Sequence, residues 1–226
     1  AADGGLYAEM VQNRDFEYTP ADHSGWNAFT AWQLASGKQP KIVTSSPLSQ
    51  QNPHALSIAA DTLYNEGWDG MALKAGEKYD FSMYVKPSSA KSFVVALVDG
   101  NRVLARARIE AKGKEWVKYS ATLTASASAS AAKLMLVAEG KKSALVDMIS
   151  LFPQKTFKGR KNGLRADLAQ TIADLQPKFV RFPGGCMSHG DGLDNIYRWK
   201  HTVGPLQDRT PDRNIWNYHQ TRGLGF

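Results

Sequence analysis

The sequence has one cysteine, no long apolar run and, over residues 154–226, no glutamate. Its one cysteine, Cys186, excludes a disulfide within the 226 residues, so a packed core must hold the fold. No run of about 18 apolar residues occurs, which predicts no transmembrane helix. Ala1 leads directly into polar sequence, and no signal peptide is predicted there.

The charge that is present is unevenly distributed along the chain. Residues 154–226 contain 12 basic residues, 6 aspartates and no glutamate, whereas residues 1–153 contain 16 basic and 15 acidic residues. A concentrated positive charge is typical of a nucleic-acid surface, or of one part of a structure whose acidic part lies elsewhere. Because no recognisable nucleic-acid module accompanies it, we predict neither a nucleic-acid nor a membrane partner.

Strand patterns fill the first 153 residues. Apolar and polar residues alternate over 78–85, 102–110 and 116–123, and Asp99-Gly100-Asn101 is one of several turn signals between them. Further strands are predicted over 41–45, 55–60, 71–74, 92–98, 133–138 and 144–152. About nine strands at roughly 8–12-residue spacing predict an antiparallel sandwich. The alanine- and serine-rich stretch 124–132 is predicted to be a strand end and a loop.

The pattern changes after residue 153. Apolar residues recur at helical spacing, at Leu164, Leu168, Ile172 and Leu175. Asn162 is the predicted N-cap of this helix, and Pro177 is its predicted end. Residues 179–182 predict a short buried strand, followed by Pro183-Gly184-Gly185. Since one such strand needs neighbours on both edges, residues 154–226 are predicted to be an incomplete α/β domain.

Four ordered blocks carry a family resemblance. They are GLYAEMVQNR at 5–14, RFPGGC at 181–186, YRW with VGP and an arginine over 197–209, and NIWNYHQTRGLG at 214–225. Together they resemble the α-L-arabinofuranosidases of glycoside hydrolase family 51. Between them, residues 13–17, 25–26 and 146–151 resemble the opening and the last strand of a jelly-roll carbohydrate-binding module.

The resemblance implies a mostly β fold, a jelly-roll β-sandwich inserted near the start of an incomplete (β/α)8 barrel. Residues 1–14 would be a stub after the first barrel strand, 15–153 the sandwich and 154–226 a barrel segment. The implied function is the amino-terminal part of a retaining, exo-acting α-L-arabinofuranosidase, secreted or periplasmic, that removes terminal arabinofuranose from plant polysaccharides. The alternative is a non-catalytic carbohydrate-binding sandwich. With the rest of the barrel missing, the chain could also self-associate.

Retaining glycoside hydrolysis uses two carboxyl groups about 5–5.5 Å apart. Glu9 is the only glutamate in the barrel-like pieces, where a surface or capping carboxylate is expected. The resemblance places both catalytic glutamates beyond Phe226. We therefore predict no catalytic residue in this chain, and no cofactor is required for the reaction.

Four substrate-binding residues are predicted, each with a plainer alternative. Arg181 is either a structural ion-pair partner or, by the resemblance, an orienting partner of the nucleophile. Cys186 is either a small buried residue or lies against the furanose ring. Trp216 either lines the side of the leaving sugar or packs in a core, and the same choice applies to Trp199.

The sandwich supplies further candidates. Its possible sugar-stacking aromatics are Trp26, Trp32, Tyr64 and Trp68, of which at least two are expected in the core. Glu17 and Asp147 could share a structural calcium ion, since oxygen ligands suit calcium. His201 and His219 have no metal-ligand spacing with other residues, so no catalytic metal is predicted.

Overall fold

A computed structural model describes residues 5–181, 183–216 and 219–220, and eleven strands form its main body. In chain order the strands are β1 (Trp32–Leu34), β2 (Lys41–Val43), β3 (Ala55–Ile58), β4 (Asp61–Asn65), β5 (Met71–Leu73), β6 (Lys78–Pro87), β7 (Lys91–Asp99), β8 (Arg102–Ala111), β9 (Val117–Thr124), β10 (Ala129–Ala138) and β11 (Ala144–Pro153). The first sheet has the order β1-β4-β10-β7-β8, with β5 also pairing with β10, and the second has the order β2-β3-β11-β6-β9. All these pairs are antiparallel.

The two sheets enclose one apolar core. Along β6, alternate residues Tyr79, Phe81, Met83 and Val85 are buried, because successive side chains of a strand point to opposite faces. Phe93 on β7 belongs to the same buried cluster, from the facing sheet. The predicted mostly β sandwich is confirmed, and each strand predicted over 41–152 is present.

The loop predicted over 124–132 is wrong from Ala129 onward, where β10 begins. Ala125 and Ala132 are both buried in the core. A side chain added at Gly70 would lie 2.7 Å from Ala131 Cα, so the two backbones approach closely there. The small residues of this stretch therefore permit close packing rather than a loop.

Residues 6–14 lie against residues 163–165 on one side and against β11 on the other. Ala8 N donates to Gly163 O at 3.1 Å, and Arg165 N donates to Leu6 O at 2.8 Å. Met10 N in turn donates to Leu151 O of β11 at 2.9 Å. The chain thus leaves for the sandwich and returns from it at neighbouring positions. The boundaries at 14/15 and 153/154 stay predictions.

Helix α1 spans Ala166–Asp174, and its N-cap position is Arg165. The Asn162 cap prediction is wrong, because Asn162 lies in a turn with φ 50°, four residues before the helix. Leu168, Ile172 and Leu175 of the predicted apolar face are exposed. Self-association through this uncovered face stays a prediction. None of the helices in the described part of the chain is long and apolar enough to cross a membrane.

The strand predicted over 179–182 is not present in its described part. Residues 177–181 have no regular structure, Phe179 is 84% exposed and Val180 is 76% exposed, while Phe182 lies outside the described residues. A strand needs neighbours for its backbone N–H and C=O groups, and none pairs with this segment among the described residues. Beyond it lie the short helix α2 (Gly185–His189), three-residue to four-residue 3₁₀ turns, and the two-residue strands β12 (Asp212–Arg213) and β13 (His219–Gln220).

Candidate functional site

Arg181 lies at the start of the glycine-containing turn that leads into α2. Gly184 has φ 98°, and a side chain added at Gly185 would lie 3.3 Å from the Arg181 guanidinium. Glycine therefore leaves room for this guanidinium to lie over the backbone of the turn. The Arg181 side chain is exposed. Its role as an orienting partner of the nucleophile stays a prediction.

Cys186 is an exposed free thiol on α2, so the alternative of a small buried residue is wrong. A backbone hydrogen bond links helix α2 to the segment that follows it: Tyr197 N donates to Ser188 O at 3.3 Å. The side chain of Asn195 orders the loop between them by accepting from Asp191 N at 2.9 Å. A position of Cys186 against a furanose ring stays a prediction.

Trp199 and Trp216 are 51% and 54% exposed, so neither packs in a core. Trp199 begins a 3₁₀ turn that is closed by a hydrogen bond from Thr202 Oγ1 to its carbonyl oxygen at 2.7 Å. Trp216 N donates to Asn214 Oδ1 at 3.0 Å. Both rings present apolar faces of the kind that stack on sugars, and that role stays a prediction. Residues 217–218 and 221–225 of the block at 214–225 lie outside the described residues.

Glu9 is completely buried, so the expectation of a surface carboxylate is wrong. Its Oε2 accepts from Arg14 Nη1 at 3.1 Å, and its Oε1 accepts from Val11 N at 3.0 Å and from Leu151 N at 2.9 Å. Burial raises the pKa of Glu9, opposed by the Arg14 charge and these backbone donors. The carboxylate ties residues 9–14 to β11, which is a structural role rather than a catalytic one.

Glu17 and Asp147, the predicted calcium ligands, each have protein donors. Glu17 accepts from His54 N at 2.8 Å and contacts His54 Nδ1 at 2.6 Å, while Asp147 accepts from Asn52 Nδ2 at 2.5 Å and Met148 N at 2.6 Å. The described residues contain no cluster of three or more histidine, cysteine or acidic side chains placed to hold a metal ion. A calcium ion shared by these two carboxylates stays a prediction.

The Asp147 carboxyl should make stability depend on pH. Burial, followed by the negative charges of Asp15 and Glu17, raises its pKa well above the ordinary value of 3.8. The folded state then binds this proton more tightly than the unfolded state, so the stability it contributes is present at low pH and lost as pH rises through the folded pKa. We expect the stability of the native chain relative to Asp147→Asn to increase as pH is lowered from 8 to 5. Urea unfolding across this range measures it.

The exposed Asp69 supplies the control for that experiment. Asp69→Asn should leave the pH dependence of unfolding as it is in the native chain. If the difference between the native chain and Asp147→Asn were constant with pH, the buried carboxyl would not be the group that titrates.

Of the four candidate stacking aromatics of the sandwich, only Trp32 lies in the core, so the expectation of at least two there is wrong. Trp32 is buried, and its indole N–H donates to Asn13 O at 2.7 Å. The half-buried Trp26 stacks on Tyr18, with ring centroids 4.7 Å apart and planes at 10°. Tyr64 is half-buried on β4 and Trp68 is exposed, so these two remain the candidates for sugar stacking.

Two family descriptions match the chain. The family described as "Carbohydrate binding domain" matches residues 8–144. The family described as "Alpha-L-arabinofuranosidase 1 domain" matches residues 171–226. The first match covers the sandwich up to the start of β11. The second covers Arg181 and the following glycines, here called the arginine-glycine turn, together with the exposed tryptophans.

Relatives of this chain carry arabinofuranosidase names. An "Extracellular exo-alpha-L-arabinofuranosidase" of Streptomyces chartreusis is 40% identical over 239 residues, which is 100% of this chain and 29% of that protein. "Alpha-L-arabinofuranosidase 1" of Arabidopsis thaliana is 34% identical over 248 residues, which is 100% of this chain and 35% of that protein. The chain therefore spans about a third of the length of the curated relatives it matches.

A solved structure gives the same result for the fold. An arabinose-bound MgGH51 α-L-arabinofuranosidase superposes with a TM-score of 0.86 and 33% identity, over 99% of this chain and 39% of that one. The combination of a sandwich with part of a family 51 barrel, expected from the sequence, is thereby supported by both sequence and structure. Since the carbohydrate binding domain family matches more than half of the chain, this chain belongs to that family, and over its whole length it is similar to the glycoside hydrolase family 51 α-L-arabinofuranosidases.

Proposed function

We propose that this chain is the amino-terminal part of a retaining, exo-acting α-L-arabinofuranosidase that removes terminal arabinofuranose from plant polysaccharides. The observation that carries the proposal is the similarity over the whole chain to a family 51 arabinofuranosidase structure, with a TM-score of 0.86. The extracellular relative from Streptomyces supports secretion of the complete protein. The sandwich would contact the polysaccharide or support the barrel.

The carboxyl groups of this chain indicate that it does not supply the catalytic pair. A retaining mechanism uses one carboxyl group as nucleophile and a second as acid and base. Residues 154–226 contain no glutamate, and Glu9 is bonded to Arg14 and two backbone amides inside the molecule. Because the Glu9 side chain is fully buried, its oxygens are not accessible to a sugar. We therefore place the catalytic pair in the part of the longer protein that this chain does not span.

Release of nitrophenol from an aryl α-L-arabinofuranoside tests the proposal. We expect turnover by a longer protein that contains this chain and the catalytic carboxylates, and none by the 226-residue chain, since loss of both carboxyls removes nucleophile and proton donor together. Turnover by the purified chain above a mock preparation would contradict the division of roles. If the longer protein bound arabinan without hydrolysing it, the alternative of a non-catalytic carbohydrate-binding module, favoured by the family match over 8–144, would hold instead.

We assign Arg181 a positioning role within that proposal. A guanidinium near the nucleophile would stabilise its ionised form and lower its pKa. In the longer protein, Arg181→Met is expected to lower kcat by about 10²–10³-fold, the usual cost of losing one preorganised electrostatic contact. Arg181→Lys should recover part of the loss, and the pH at which activity rises should shift upward in Arg181→Met. A well-folded Arg181→Met with native kcat would show that Arg181 is structural.

A further inference from the structure

A polar cavity of about 300 Å³ lies on the outer face of the second sheet, under residues 161–162. Its floor is the paired strands β6 and β9, on which Ser82 lies directly opposite Ser120 and Asp80 lies opposite Thr122. Residues i and i+2 of a strand share a face, so these four side chains point the same way. The cavity therefore has a floor of hydroxyl groups and one carboxylate.

Two lysines stand at this cavity, Lys118 on β9 and Lys161 in the covering segment. Neither forms an ion pair with any of the residues that the structure describes. The Lys118 ammonium lies 5.6 Å from the centre of the Tyr84 ring. Burial lowers the pKa of Lys118, and the neighbouring Lys161 charge lowers it further. The two ammonium groups thus repel each other, and neither is paired with Asp80, the one carboxylate at the cavity, although the Glu9 charge opposes part of the shift at Lys118.

The one carboxylate at the cavity is already bonded on the protein side. Asp80 Oδ1 accepts from Thr122 Oγ1 at 3.1 Å and from Gln154 Nε2 at 2.8 Å. The lysines therefore keep an excess of positive charge at the cavity. Ser82 and Ser120 remain as hydroxyl donors and acceptors beside them, and Asn162 adds an amide at the rim.

We propose that this cavity binds a sugar that carries a carboxylate, namely a uronic acid unit of a polysaccharide. Its carboxylate would pair with both ammonium groups, and its ring hydroxyls would bond to the serines of the floor. The volume lies at the lower end of the range for small-molecule sites, about 300–1,000 Å³. The inference goes beyond the proposed function, because arabinofuranose is neutral and the cavity lies on the sandwich rather than at the arginine-glycine turn.

Isothermal titration of the 226-residue chain with sodium glucuronate and, separately, with glucose tests the proposal. The two sugars differ at one carbon, so the difference in affinity reports the carboxylate. We expect glucuronate to bind at least about tenfold more tightly than glucose, with an affinity that falls as salt rises. Lys118→Met and Lys161→Met should each weaken glucuronate about tenfold, because each removes one charge-assisted hydrogen bond.

Two further measurements separate the sugar from a bare anion. Ser120→Ala should weaken glucuronate and leave sulfate unchanged, since only the sugar uses the hydroxyl floor. Lys141→Met, an exposed lysine outside the cavity, should change neither. Equal affinities for glucuronate and glucose, or lysine variants that bind as the native chain does, would overturn the proposal. Sulfate binding as tight as glucuronate, together with no effect of Ser120→Ala, would also overturn it by leaving only an anion site.

Discussion

Glu9→Ala is expected to lower the free energy of unfolding by about 3–5 kcal/mol, the usual cost of breaking a buried ion pair from one side. The substitution leaves the Arg14 guanidinium inside the molecule without its carboxylate partner at 3.1 Å. It also removes the oxygen that accepts from Val11 N and Leu151 N, the contact by which residues 9–11 are held on β11. Urea unfolding followed by circular dichroism measures the loss.

Glu115, whose side chain is 87% exposed, supplies the control for Glu9. Glu115→Ala should change the free energy of unfolding by less than about 1 kcal/mol, as exposed ion pairs contribute little. Removing both charges together, in Glu9→Leu with Arg14→Met, should recover part of the loss because no lone charge stays buried. A Glu9→Ala variant as stable as Glu115→Ala would contradict the structural role of the pair.

Asn65→Ala is expected to cost about 4 kcal/mol, at about 1 kcal/mol for each of four hydrogen bonds. The buried Asn65 amide donates to Gln12 O at 2.9 Å and Ala31 O at 3.1 Å, and its Oδ1 accepts from Gln12 N at 3.3 Å and Gly67 N at 2.9 Å. All four partners are backbone groups that would lose a bond within the protein. Urea unfolding measures this loss as well.

Asn101→Ala, at an exposed position on the turn after β7, is the matched control and should cost less than about 1 kcal/mol. Asn65→Asp should be at least as damaging as Asn65→Ala. It keeps the two accepted bonds, but it sets a buried carboxylate against the carbonyl oxygens of Gln12 and Ala31. If both Asn65 variants unfolded at the midpoint of the native chain, the four bonds would not contribute to stability.

The sandwich could be predicted from the sequence because one physical effect specifies it. Alternation such as that of Tyr79, Phe81 and Met83 buries one strand face, and a slip of one residue would expose the whole set. The alanine- and serine-rich stretch 124–132 shows little apolar–polar alternation. Small residues of this kind occur both in loops and in strands that pack closely against another backbone. The assignment of this stretch to β10 depends on pairing with β5, where Ala129 lies opposite Leu73 and Ala132 opposite Met71, more than 50 residues earlier in the sequence.

The polar contacts could not be predicted in the same way. Glu9 bonds to Leu151 and Asn65 bonds to Gln12, and nothing in the local sequence of either residue indicates a partner so distant. The strand over 179–182 fails for a related reason. Its continuous apolar pattern is typical of a central strand with a neighbour on each edge. Among the described residues, no strand pairs with Phe179 or Val180, and both side chains are exposed.

The pairing of Ala8 with Gly163 has a consequence for how such a sandwich is acquired or lost. The Ala8 and Gly163 backbones are hydrogen-bonded to each other, with 3.1 Å from N to O. Chain ends this close can be connected either by a short turn or by a whole domain. The entropy of closing a loop grows only by about 0.6 kcal/mol for each doubling of its length, so a host fold loses little when a module is spliced in at such a point. The same geometry would allow the sandwich, predicted over residues 15–153, to be exchanged for another module that replaces the contacts of Glu9 with β11.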